Sequence, residues 1–424
     1  MSRQEVDLLV HSAAQLVTCA GPGPRRGAAM RDVAAIADGA VAIRDGRIVA
    51  CGTTDDLDAA YAPREELDAG GCTVCPGFVD CHTHVVHAGD RVDEFERRLA
   101  GESYAQIAAS GGGILSTVRA TRAATVPTLM DAAQPRLAQM LALGTTTAEV
   151  KTGYGLDTES ELKLLRTIDR LDRHQPVELV PTFLAAHAVP PEYRGRAGDY
   201  AALVIGEMLP AVAEWHRGSP FARSGRALFM DVYCEPHAFD LAQTRLLLEA
   251  ARAAGLPLKA HVDQFNALGG LELALGLGAV SVDHLDVATA AGIAALAKSD
   301  AIGVMIPAAS FHLGTPYADA RALIDGGGAL ALCTDFNPGS APCPSLPMVM
   351  AIACRHQRLL PAEAVNAVTV NAAHALGLGD RVGSLEPGKQ ADLLVLDMPD
   401  HRYLCYEFGG YPVINVVKRG QVVR

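Results

Sequence analysis

"VDCHTHVVHAGDR", residues 79–91, is the stretch on which the fold turns. An apolar segment runs into His82-Thr83-His84, and Arg91 follows seven residues later. Side chains along a strand alternate, so residues i and i+2 face the same side. Two imidazoles at the end of an apolar strand can therefore converge on one point. That arrangement predicts further polar residues at the ends of other strands.

Working outward, eight stretches read as strands: 77–84, 144–153, 177–187, 228–235, 256–263, 279–285, 301–307 and 329–337. Helical patterns such as "TESELKLLRTIDRLDRH" and "LAQTRLLLEAARAAG" separate most of them. Eight strands with intervening helices predict an α/β fold, a (β/α)8 TIM-type barrel with insertions. A doubly wound open sheet is the alternative. The barrel is favoured because polar residues gather at the C-terminal ends of many strands. His187 ends the third, His261 lies in the fifth, His284 in the sixth and Asp335 in the eighth. In a closed barrel these ends surround one cavity. Neutral imidazoles plus a carboxylate suit Zn²⁺ or Fe²⁺.

Both chain ends are β-rich instead. "VDLLV", "AVAIRDGRIVACG" and "EELDAGGCTVCPG" fill the first part, and "KQADLLVLDM" and "VINVVKRGQVVR" the last. Asp45-Gly46 is a hairpin signal.

The chain has 424 residues, half of them apolar, and a formal charge of −12. That balance argues against nucleic-acid binding, which wants a basic stripe. It leaves room for an anionic small molecule in a locally positive site. The N-terminus does not read as a signal peptide, and no apolar run is long enough to span a membrane. Ten cysteines are scattered, and Cys72-x-x-Cys75 has no second pair to complete a zinc ribbon. Free thiols in a reducing cytoplasm are expected.

With these residues in view, the chain resembles the amidohydrolase superfamily. "PGFVDCHTH" is similar to the opening of its barrel, and "GSLEPGKQADLLVLD" to its small β-sandwich. The resemblance narrows to the imidazolonepropionase family of histidine catabolism. It is carried by "HTHVVHAGDR", "SGGGILSTVRATRAA", "TTAEVKTGYGLD", "TFLAAHAVP", "KAHVDQF", "DHLD" and "CTDFNPGSAP".

The likeness implies a β-sandwich domain built from residues 1–75 and 376–424, and a catalytic barrel over 76–375. It implies His82, His84, His261 and Asp335 as metal ligands. Arg91, Tyr154, His187 and Gln264 would bind substrate, and Asn337, Gly339 and Ser340 the propionate or the product. His284 would lie beside the attacking water. The implied reaction opens the cyclic amide of 4-imidazolone-5-propanoate to N-formimidoyl-L-glutamate, in the cytoplasm, by a homodimer. Asp335 and His284 would handle the proton, and His187 would donate to the developing oxyanion. Gln264 stands where family members carry Glu or Gln. It cannot ionise, so it can only orient through its amide.

Binuclear relatives use a lysine in the fourth strand, and "FMDVYCEPH" has none. One Zn or Fe ion per chain is therefore expected, with Cys234 and Glu235 the outside candidates for a second. Lys151 is expected to pair inside the barrel with an acid such as Glu149 or Asp80. "SGGG" (110–113) lacks the lysine of a phosphate loop and reads as a mobile loop at the mouth. His87, His237 and His312 are assigned to the surroundings of the site. Two other readings compete. A guanine- or cytosine-type deaminase would not need Arg91 and the "NPGS" loop, and a non-catalytic barrel would be expected to lose its ligands.

Overall fold

The computed structural model describes residues 3–102, 106–107 and 110–424. Sixteen strands are present among them. Those of the chain ends are β1 (Gln4–Val17), β2 (Ala35–Arg44), β3 (Arg47–Thr53), β4 (Tyr61–Asp68) and β5 (Thr73–Pro76), then β14 (Leu393–Leu396), β15 (Val413–Lys418) and β16 (Gln421–Val422). They form one eight-stranded sheet in the order β16-β15-β14-β5-β1-β2-β3, with β4 also paired to β1. Both chain ends thus share a sheet, as their composition predicts. Asp45 and Gly46 make the β2–β3 turn with φ of 52° and 70°, the left-handed values a two-residue hairpin needs. Residues 54–60 depart from the expected β pattern and form a helix. Its start is set locally, because the Thr53 side chain accepts from the Asp56 N–H and Asp55 and Asp56 lie in the first turn.

The middle of the chain holds β6 (Phe78–Asp80), β7 (Thr145–Lys151), β8 (Glu178–Ala186) and β9 (Phe229–Val232), then β10 (Lys259–Val262), β11 (Ser281–His284), β12 (Ile302–Met305) and β13 (Ala329–Leu332). All eight expected strands are found. They run parallel in two four-stranded sheets, β6-β7-β8-β9 and β10-β11-β12-β13. Isolated parallel bridges join the sheets at both seams, Met230 with Leu258 and Tyr233 with His261 on one side, Thr83 with Phe336 on the other. Parallel strands need crossover connections, and helices such as Thr158–His174 and Leu241–Ala253 supply them. Asp157 and Asp240 cap these two helices.

The strands are shorter than the sequence pattern suggests. β6 stops at Asp80, so His82 and His84 lie just past its end. They still face one side, because Thr83 keeps a parallel bridge to Phe336 and the backbone stays locally extended. Among the described residues no helix is long and apolar enough to cross a membrane.

Candidate metal centre and substrate cavity

Polar residues in the middle of buried strands build the site from below. Lys151 of β7 and Lys259 of β10 are fully buried, and so are Glu149, Asp231 and Asp283. Lys151 Nζ lies 3.1 Å from Glu149, 2.7 Å from Asp231 and 3.5 Å from Asp283. Lys259 Nζ donates to Glu149 at 3.1 Å. Burial alone would lower Lys151, but the three carboxylates hold it well above the ordinary lysine value. The expected pairing with Glu149 is present. Asp80 is not a partner; it accepts from the Thr334 N–H (3.0 Å) and hydroxyl (2.6 Å), and burial pushes it up to about 7.

The next layer up is the candidate metal centre. His82 Nδ1 is 2.7 Å from Asp283 Oδ2, and His261 Nδ1 is 3.1 Å from Asp231 Oδ1. A carboxylate holding Nδ1–H leaves the Nε2 lone pair free to ligate. His82 Nε2 lies 3.3 Å from His84 Nε2, and each lies 3.4 Å from Asp335 Oδ1. The His82, His84 and His261 nitrogens all fall within 4.8 Å of one another, as do the donor atoms of His82, His284 and Asp335.

Donor atoms in such a triangle repel unless something lies between them. A zinc ion with tetrahedral bonds of about 2.0–2.1 Å gives donor–donor edges of about 3.3–3.4 Å. The triangle observed has those edges, so the residues fit a divalent ion. Burial, with Lys151 and His261 close by, keeps His82 well below the usual histidine value. Burial and His187 do the same for His84, so both imidazoles are neutral, as ligands must be. Asp335 Oδ2 accepts from the Ser340 hydroxyl at 3.3 Å, so its two oxygens face different tasks. Burial raises its carboxyl to about 6.

His284 and Asp335 both have positive φ, 81° and 51°, conformations costly for side-chain-bearing residues and frequent at functional sites. His284 Nδ1 sits 3.7 Å from Asp286, an ion-pair distance longer than a hydrogen bond. Burial lowers His284, but Asp286 and the other carboxylates bring it above its ordinary value.

Above the donors opens a cavity of about 750 Å³. Every sequence-predicted substrate residue lines it: Arg91, Tyr154, His187, Gln264, Asn337, Gly339 and Ser340. Arg91 Nε is held by Glu94 at 2.8 Å, and neither Nη is hydrogen-bonded to a described residue. A β-carbon at Gly339 would overlap the Arg91 guanidinium, so glycine is needed for that approach. Asn337 spends its amide on its own loop, accepting from the N–H groups of Gly339 and Ser340 at 2.8 Å each and donating to Asp335 O and Ser340 Oγ. Its part is therefore to shape the loop.

The Tyr233 hydroxyl donates to Gln264 Oε1 at 2.8 Å, which leaves the Gln264 amide N–H groups as donors. His187 Nδ1 donates to the Gly153 carbonyl at 3.3 Å, and burial with His261 lowers the ring to about 3. Its Nε2 is then an acceptor. The Gly153–Leu156 turn carrying Tyr154 is fixed by buried Glu161, which accepts from the Gly153, Gly155 and Leu156 N–H groups at 2.8–3.2 Å.

Gly112 and Gly113 of the "SGGG" stretch line the cavity, and Glu94 ties the stretch to Arg91 by accepting from the Gly113 N–H at 2.9 Å. Glu235 gives its carboxylate to Phe265 N, Asn266 N and Asn266 Nδ2. It is occupied as a structural acceptor.

Sequence reasoning missed Asp231, Asp283, Glu161, Tyr233 and Arg98. The two aspartates carried a signal: an acid in the middle of an otherwise buried strand. Arg98 lines the cavity, donates to His312 at 2.8 Å and is one helical face from Arg91, at i+7. His237 also lines the cavity, whereas His87 is buried behind it.

The same chain trace recurs in solved hydrolases. An adenosine deaminase from Xanthomonas campestris with bound zinc superposes with a TM-score of 0.70 at 20% identity, covering 99% of this chain and 93% of that one. A family model described as "Amidohydrolase family" matches residues 226–423. A fold of this type, with this donor set at its strand ends, defines an amidohydrolase-type enzyme. A second model, "Imidazolonepropionase-like composite domain, bacteria", matches residues 39–62. The chain is 60% identical over 419 residues to the imidazolonepropionase of Chloroflexus aggregans, covering 98% of each. It is 49% identical to that of Herpetosiphon aurantiacus, over 99% of this chain and 97% of the relative. The chain belongs to the imidazolonepropionase family.

Proposed function

We propose that this enzyme hydrolyses the ring amide of 4-imidazolone-5-propanoate to N-formimidoyl-L-glutamate, a step of histidine degradation. The observation that carries this reading is the pairing of the donor triangle, across one cavity, with Arg91 Nη nitrogens that hydrogen-bond to no described residue. The likeness to imidazolonepropionases supports it independently. In this reading β6–β13 act as one closed (β/α)8 barrel over residues 76–375, and 1–75 with 376–424 form a composite β-sandwich. Residues 1, 2, 103–105, 108 and 109 of that division lie outside the described residues.

His82, His84, His261 and Asp335 would hold one divalent ion, Zn or Fe. The ion supplies Lewis acidity, which activates water at neutral pH. The remaining work belongs to the chain. Arg91 grips the propionate through two parallel hydrogen bonds, and Gly339 and Ser340 close the loop beneath it. Gln264 donates to a ring nitrogen lone pair. His187 accepts from a ring N–H through Nε2, which replaces the oxyanion donation expected from the sequence: a neutral ring with its proton on Nδ1 has none to give. Tyr154, whose hydroxyl is held protonated chiefly by burial, can donate to the substrate. Asp335, through Oδ2, and His284 take the proton from the attacking water and return it to the leaving ring nitrogen. A C–O bond forms as the amide C–N bond breaks. The likeness further implies a cytoplasmic homodimer.

The test is direct. Metal-replete protein given 4-imidazolone-5-propanoate should form N-formimidoyl-L-glutamate, and guanine and cytosine should stay intact. Turnover of those bases with none of the imidazolone would overturn the assignment.

A further inference from the structure

We propose that Lys151 is a positioning residue for the metal centre, one ammonium that holds both carboxylates orienting the histidines, from two different strands, β9 and β11. The proposal rests on the metal-site reading above. Asp283 Oδ2 is shared, 2.7 Å from His82 Nδ1 and 3.5 Å from Lys151 Nζ. Asp231 Oδ2 is 3.0 Å from His261 Nδ1 and 2.7 Å from Lys151 Nζ. Lys151 is therefore the only described cation that touches both histidine-bound acids. Its third contact, Glu149 at 3.1 Å, anchors it: Glu149 also accepts from Lys259 and the Thr182 hydroxyl. The other oxygen of Asp283 is fixed by the Ser281 hydroxyl at 2.8 Å. Every member is buried, where hydrogen bonds and ion pairs are stronger than at the surface and an unpaired group is costly. Imidazole orientation at Nδ1 sets where Nε2 points, so a displaced carboxylate displaces a ligand.

Charge alone predicts the opposite consequence. An ammonium close beneath a dication repels it, so deleting that ammonium should tighten metal binding if only charge matters. Deleting an anchor should weaken it. Lys259 is the internal control. It is equally buried and contacts the same Glu149, but its other hydrogen bond to a described residue goes to the Cys81 carbonyl at 3.4 Å, and it reaches neither histidine-bound acid.

The experiment is zinc competition between the holoprotein and a chromophoric chelator, in wild type, Lys151→Met and Lys259→Met, with circular dichroism confirming the fold. The expected result is a zinc dissociation constant raised about 10- to 100-fold in Lys151→Met, the range for lost partners of ligating histidines. Lys259→Met should stay within about threefold of wild type on that scale. Ser281→Ala, which keeps every charge and frees one oxygen of Asp283, should fall between them. Should Lys151→Met not fold, Lys151→Gln is read the same way. Zinc held as tightly or more tightly without Lys151, or equal losses in the two lysine variants, overturns the proposal. A wild-type protein with no affinity for zinc or iron would instead overturn the metal-site reading on which it stands.

Discussion

At the start of β8, Glu178 is buried among Arg381 (2.9 Å), Gln390 (3.1 Å), Arg419 (3.2 Å) and Lys418 (3.7 Å). At the other ends of the strands His82, His84 and Asp335 turn donor atoms towards one another at 3.3–3.4 Å. Both regions bury polar groups. At the first, every charge has a partner of opposite sign, and the residues come from β8, β15 and the segments near it. That cluster fastens the terminal sheet to the parallel strands. At the second, three ligating atoms crowd one point, no partner fixes the proton of His84, whose Nδ1 has no hydrogen bond among the described residues, and two residues nearby adopt left-handed backbone. The difference separates stability from function: a fully paired cluster is complete without a ligand, whereas a triangle of ligating atoms at metal-binding distances suits one.

Substitutions can sharpen or break that contrast. The largest loss is expected from Asp335→Asn. The amide keeps the shape but cannot take a proton, so kcat should fall about 10²- to 10⁴-fold even with metal restored. Recovery of near-native rate in excess zinc would reduce Asp335 to a ligand. Arg91→Met should lower kcat/KM about 10- to 150-fold with metal content unchanged, the scale of a charged hydrogen bond. Arg91→Lys should recover only part, because it restores charge without the planar fork. Equal kcat/KM for all three proteins would falsify the anion-pocket role. Gly339→Ala should cost less, about three- to tenfold in KM, because the Arg91 guanidinium must move away from the added methyl.

Glu178→Gln should leave turnover unchanged and act on stability alone. The glutamate is mostly buried, and although burial raises its carboxyl, Lys418, Arg381 and Arg419 bring it down to about 2 from 4.5. A folded value below the unfolded one stabilises the protein at neutral pH. The contribution is complete above about pH 4.5 and disappears as pH falls towards 2. Urea unfolding at pH 7 should show a loss of about 1–3 kcal/mol, shrinking as the pH is lowered. A constant difference across that range would mean that packing, not charge, is what Glu178 supplies.

The sequence made the donor residues readable because periodicity places them. His-x-His at the end of an apolar run, and single histidines at later strand ends, need only the alternation of a strand. The Asp45-Gly46 hairpin was readable for the same local reason. Asp231 and Asp283 were visible only as acids in buried strands; their roles were not, because their partners are His261 and His82, brought together through space by neighbouring and facing strands. Lys151 shows the boundary well. Its pairing with Glu149, two residues away on the same strand face, follows from local geometry. Its contacts with Asp231 and Asp283 depend on the registers of β7, β8, β9 and β11, which one sequence does not contain. His187 teaches a different lesson. Its location was legible, but its tautomer follows from the Gly153 carbonyl, a backbone group without a sequence signature.

On this reading one ion completes the triangle at the strand ends. Elemental analysis of protein purified without added metal, with activity followed as the ion is removed and returned, tests it most directly. The expected result is one equivalent of zinc or iron per chain, activity that falls in proportion to its removal, and full recovery on return of one equivalent. Two tightly held equivalents both needed for turnover, or full activity in metal-free protein, would contradict it.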